Sequence, residues 1–158
     1  MNAIQRAMVK IMGKRSRPMM ENTYAMVGDL CKAFYQKDGS DALPIITEIS
    51  SKSGIDRARI VQQMMTVKDM KDVGELFQMM DLVMDMGMEI VELSDDAIHF
   101  IVPRCLMRID NTSKELCEAM MNADTMLLST LLGQGMKTEI VKSVAAGDSN
   151  CEIVISKA

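Results

Sequence analysis

The sequence predicts an α+β fold in which N-terminal helices pack on a small C-terminal antiparallel sheet with an inserted helix. Three observations lead there. Apolar residues recur at helical spacing from residue 2 to about residue 86. The period then switches to alternation in 88–102 and again in 151–156. With 158 residues, 48% of them apolar and 25% charged, the chain suits one domain, 1–158, large enough to bury a core.

Residues 2–12 set Ile4, Met8, Ile11 and Met12 on one stripe, and Gly13–Pro18 reads as a break after it. A second helix is expected from about Met19 to Gln36, with Tyr24, Val27, Leu30, Cys31 and Phe34 at helical spacing and Lys37-Asp38-Gly39 closing it. Ser40 reads as the N-cap of a helix through about Ser51, with Pro44 tolerated in its first turn. Gly54 then separates this helix from another that begins near Asp56, carries Ile60, Val61, Met64 and Met65, and stops near Thr66. Asp69 to Met86 is amphipathic, with Val73, Leu76, Phe77, Met80, Val83 and Met84 on the buried side and Gly87 as cap.

Met88 to Leu93, the polar turn Ser94-Asp95-Asp96, and Ile98, Phe100 and Val102 in alternation predict a β-hairpin. Thr112-Ser113-Lys114-Glu115 has the form of a capping box, so a helix should run from there to about Leu132, ending at Gly133-Gln134-Gly135. Met136 to Ala146 and Cys151 to Ser156 form a second hairpin about Gly147-Asp148-Ser149-Asn150.

Composition narrows the classes of function. No run approaches the roughly 18 apolar residues of a membrane span. The N-terminus lacks the apolar stretch and cleavage site of a secretory signal, so a cytoplasmic protein is expected. Nineteen methionines stand against five aromatic residues and no Trp. Flexible, polarizable Met can fill a core in place of Leu, line an adaptable ligand pocket, or form a contact surface, and the run Met79, Met80, Met84, Met86 and Met88 suits the last if exposed. The widely spaced Cys31, Cys105, Cys117 and Cys151 read as thiols or metal ligands rather than disulfides. Residues 1–20 hold five cations and no acid, which leaves −9 on the remainder of a chain whose total is −4. A basic arm or helix over 1–18 would meet an anionic partner, or the acidic body of a second subunit. A homodimer through the N-terminal helices is expected on that ground. The acidic, aromatic-poor body argues against nucleic acid.

The C-terminal turn carries the most informative motif. Ala145-x-Gly147-Asp148-x-x-Cys151-x-Ile153 resembles the closing signature of the 4-vinyl-reductase type domain. Cys105 after a strand, Glu115-Leu116-Cys117 opening a helix, and Asp124 within it are similar to the L-2-amino-thiazoline-4-carboxylate hydrolase-like family. The resemblance covers residues 88–158. In the turn itself, Gly147 permits positive φ and Asp148 can accept backbone donors across it. Metal-binding members of the vinyl-reductase type hold zinc with a Glu and three cysteines. Cys117 and Cys151 match two of these, whereas Ser143 replaces the third Cys and Ile140 the Glu, with Glu139 one residue out of register. Two ligands make a degenerate zinc site, so no cofactor is expected.

Three functions follow. The resemblance implies a small-molecule-binding module, a sensor or accessory domain, with Cys117, Asp124, Ser143 and Cys151 fixing a ligand in a Met-lined pocket. It also implies a hydrolase opening a cyclic amidine or thiazoline C–N bond, with Cys105 or Cys117 as nucleophile and Asp124 as acid or base. Cys117 and Asp124, seven residues apart, share a helix face but stand roughly 10 Å from each other at ~1.5 Å per residue. His99 alternates with Ile98 and Phe100 and so faces away from the core, which leaves no Cys–His pair. The third reading is an assembly subunit whose Met-rich helices bind a protein partner.

Overall fold

The computed structural model describes residues 3–158, with side chains from residue 7 onward. Helices α1 (Ala3–Asp38), α2 (Leu43–Met64) and α3 (Met70–Met84) precede strands β1 (Glu89–Leu93) and β2 (Ala97–Val102). Helix α4 (Lys114–Leu132) is inserted before β3 (Met136–Lys142) and β4 (Cys151–Lys157). The sheet is antiparallel throughout, in the order β1-β2-β4-β3, so two hairpins join along β2 and β4. The architecture is the α+β arrangement expected. No helix among the described residues is long and apolar enough to cross a membrane.

The alternation of β2 and β4 decides which face is covered. Ile98, Phe100 and Val102 pair with Ile155, Ile153 and Cys151, and all six point inward. Helices α3 and α4 cover that face; α1 lies on α3 and α2 lies on α4. Phe77 of α3 meets Phe100 with ring centroids 5.1 Å apart and a 60° tilt, a favourable edge-on aromatic geometry. Each inner helix starts on a side-chain cap: Asp69 accepts from the Asp72 amide at 3.0 Å, and Ser113 from the Leu116 amide at 3.0 Å. The cap of α4 is thus Ser113, one residue beyond the Thr expected from the sequence.

Two helices run through residues that read as breaks. Helix α1 passes Gly13 and Pro18 without stopping, so the expected basic arm is the first half of one helix of 36 residues. Helix α2 likewise passes Gly54. The reason is tertiary. A Cβ at Gly13 would sit 2.7 Å from the Val83 Cα, one at Gly28 would enter the Met107 carbonyl, and one at Gly54 would enter the Ala123 carbonyl. These glycines mark places where backbones touch, and packing outweighs their poor helix propensity. The side chain of Ile4, expected to open the first stripe, lies outside the described ones. Arginines tie α1 to the end of α3: Arg17 donates to the Val83 carbonyl at 3.1 Å and to Asp85 at 2.8 Å, and Arg104 donates to Glu21 at 2.7 Å. Asp85 itself adopts the left-handed conformation (φ 54°) and caps α3, two residues before the glycine expected there.

Candidate functional site

A cavity of about 170 Å³ lies between the sheet, α3, α4 and the connection from β2 to α4. Its floor is Phe100, Val102, Cys151 and Ile153 from the two central strands. Met80 and Met84 of α3, and Met120 and Met121 of α4, form its sides. Met86 and Met88 reach it because the Asp81 carboxylate accepts from the Met88 amide at 2.9 Å and pins the chain between α3 and β1. The run of methionines near residue 80 therefore turns inward: Met84 and Met86 are buried, and Met79, Met80 and Met88 pack against the core. None of the five is an exposed side chain.

One wall is polar. Tyr24 from α1, Arg57 from α2 and Asp124 from α4 converge on it. Arg57 Nη2 donates to Asp124 Oδ1 at 2.8 Å, with both side chains more than two-thirds covered. Burial opposes the charged guanidinium, but the Asp124 carboxylate beside it outweighs that effect and raises Arg57 above its ordinary value. Arg57 Nε is buried and lacks a hydrogen-bond partner, so a donor remains unused beside the cavity. An open groove of about 420 Å³ between α1 and α2 shares Tyr24, Arg57, Met107 and Met120 with the cavity. The ion pair thus stands where outer groove and inner cavity meet.

Cys105, Cys117, Asp124 and Cys151, drawn from a loop, a helix and a strand, all line this cavity. Ser143 does not. It is 1% exposed, its Oγ accepts from the Ala145 amide at 3.1 Å, and its own amide donates to Asp148 at 2.8 Å. The Asp148–Ser143 bond and Gly147 at φ 98° close the turn that carries the sequence motif, and so place Cys151 at the start of β4. Arg57 and Tyr24 escaped sequence reasoning. The available signal was a cation on the buried stripe of α2, between Gly54 and Ala58.

Two of the thiols are held protonated. Burial pushes Cys117 up to about 11, and burial also raises Cys151. His99 lies on the opposite face of the sheet, 3.1 Å from Glu152, which also accepts from Lys142 at 2.7 Å. The one histidine of the chain therefore stands away from Cys117 and Cys151. Nor does the donor set suit zinc: Ile140 is part of the core, Ser143 is committed to its turn, and among the described residues no three His, Cys, Asp or Glu side chains group as metal ligands.

No family model matches the chain, and no curated protein matches it. Among solved structures, the chain is similar to the crystal structure of the phenol-responsive sensory domain of the transcription activator PoxR with phenol, at 14% identity. The match has a TM-score of 0.64 and covers 85% of this chain and 74% of that one. At so low an identity, what the two share is the fold alone.

Proposed function

We propose that this chain is a small-molecule-binding domain whose ligand is a single apolar ring carrying one hydrogen-bonding oxygen. The observation that carries the reading is the cavity itself, apolar on every side but one. A volume near 170 Å³ fits one six-membered ring, since a dry apolar cavity of roughly 150 Å³ takes up benzene. Methionine thioethers make favourable contacts with an aromatic ring and adapt to its outline. The polar wall sets orientation. Arg57 and Asp124 neutralise each other, so the site suits a neutral oxygen that accepts from the free Arg57 Nε, rather than a second full charge.

The likeness in fold to a phenol-responsive sensory domain supports this reading, as does the vinyl-reductase-type resemblance of residues 88–158. The groove between α1 and α2 is the route of entry. Arg57, held to Asp124 across its inner end, is the group a ligand passes and then binds. Ring-opening hydrolysis has no comparable support, because Cys117 stays protonated well above neutrality and its cavity holds no histidine.

Thermal unfolding of the full chain with phenol, cyclohexanol, benzene and 2-naphthol tests the proposal. A ligand present at about 100 times its Kd stabilises by about 2.7 kcal/mol. Phenol and cyclohexanol should raise the midpoint in a saturable way, benzene less, and 2-naphthol not at all. Equal or absent responses to all four would refute it. A Cys105→Phe variant, which fills the cavity from its rim, should abolish the response while still unfolding cooperatively.

A further inference from the structure

Helix α1 has two apolar faces, and the molecule covers only one. Gly13, Tyr24, Gly28 and Tyr35 face the body. Met8, Met12, Met19, Met26 and Leu30 fall, at about 100° per residue, within an arc of about 40° on the opposite side. All five are more than half exposed, from Met26 at 54% to Met19 at 72%. Ile11 (70%) and Phe34 (48%) flank them. Met12, Met19 and Met26 repeat every seven residues, the period with which one helix packs along another.

We propose that this face binds the same face of a second copy, with the two α1 helices antiparallel about a two-fold axis near Glu21. Charge chooses both the occupant and the direction. Residues 1–20 carry five cations and no acid, whereas the remainder of the chain carries −9. Side by side in parallel, two such helices would set the cationic blocks against each other. Antiparallel pairing carries each block towards the half of the partner where Glu21, Asp29, Asp38 and Asp41 outnumber Lys32 and Lys37, a net acidic stretch. A face paired with itself through a two-fold axis needs no second kind of surface.

The size also fits. From Met8 to Phe34 the stripe runs roughly 40 Å at 1.5 Å per residue and is about one helix wide. Two copies together would cover on the order of 1,000 Å², where specific association begins.

Analytical ultracentrifugation of the full chain, with and without the double substitution Met19→Glu and Met26→Glu, tests the proposal. The unaltered chain should sediment at twice 17.6 kDa at micromolar concentration. The double variant should be a monomer that still unfolds cooperatively, because both side chains are exposed in the single chain, and its midpoint should no longer depend on concentration. A monomeric unaltered chain, or a dimer that survives both glutamates, would overturn the proposal. Direction is read separately with benzoylphenylalanine in place of Met8. Photo-adducts in segment 30–37 of the other copy are expected, and adducts in 5–12 would overturn the antiparallel arrangement.

Discussion

Substituting Gly54 by Ala sets two physical effects against each other, and the structure decides the sign. Intrinsic propensity favours Ala within a helix by about 1 kcal/mol. An added Cβ, however, would stand 3.0 Å from both the Ala123 carbonyl carbon and the Leu127 amide nitrogen, and closer still to the Ala123 carbonyl oxygen. All three are backbone atoms of α4 and cannot rotate aside. Carbon and carbonyl oxygen settle at roughly 3.3 Å or more, so α2 would have to retreat by on the order of 1 Å. Overpacking of that kind costs about 1–3 kcal/mol, and occasionally more. Because the blocking atoms are backbone, the cost falls at the upper end, about 3 kcal/mol, which leaves a net loss of about 2 kcal/mol, or about 4–8 °C in midpoint for a chain of this size. The assay is thermal unfolding followed by circular dichroism, with Lys52→Ala, exposed on the same helix, as the control that should shift by less than about 0.5 kcal/mol. Because Arg57 follows Gly54 by three residues, the variant should also lose its response to phenol. A Gly54→Ala protein more stable than the parent would refute the close approach of α2 and α4, and with it the reach of Arg57 to Asp124.

Further expectations follow from the same geometry. Arg57→Met should leave Asp124 without its partner and lower stability by about 1–2 kcal/mol, a figure reduced for partial exposure. It should also bring the responses to phenol and benzene together, which paired titrations would measure. Cys117, raised from 9.0 to about 11, binds its proton more tightly folded than unfolded. Its contribution to stability should therefore be complete below pH 9 and lost as pH rises through 11. Unfolding midpoints over pH 8–11 should decline more gently in Cys117→Ala. At pH 8, labelling of Cys117 by a thiol reagent should be far slower than in the unfolded chain, read by mass spectrometry.

What the sequence disclosed depended on whether a signal was local. Both hairpins and the turn at Gly147 were legible because alternation and positive φ act over a few residues. Gly13, Pro18 and Gly54 misled for the complementary reason. Locally each disfavours a helix, and only the approach of Val83 and Ala123, some 70 residues away in the chain, explains why the two glycines lie within one. Cys105, Cys117, Asp124 and Cys151 were recognised through motif resemblance and helix spacing, and they line one cavity. Ser143 lies outside that lining, and a motif position does not reveal that its hydroxyl accepts from the Ala145 amide. Arg57 and Tyr24 come from the helices outside the resemblance, and only folding brings them to Asp124.

The central claim is that a single-ring ligand occupies the methionine-lined cavity, and the methionines themselves provide the test. With methyl-¹³C methionine, a phenol titration followed by NMR should shift the resonances of Met80, Met84, Met120 and Met121 saturably. Those of Met8, Met12 and Met19 on the outer face of α1 should stay in place. Shifts confined to the outer face, or no saturable shift at any cavity methyl, would contradict the account.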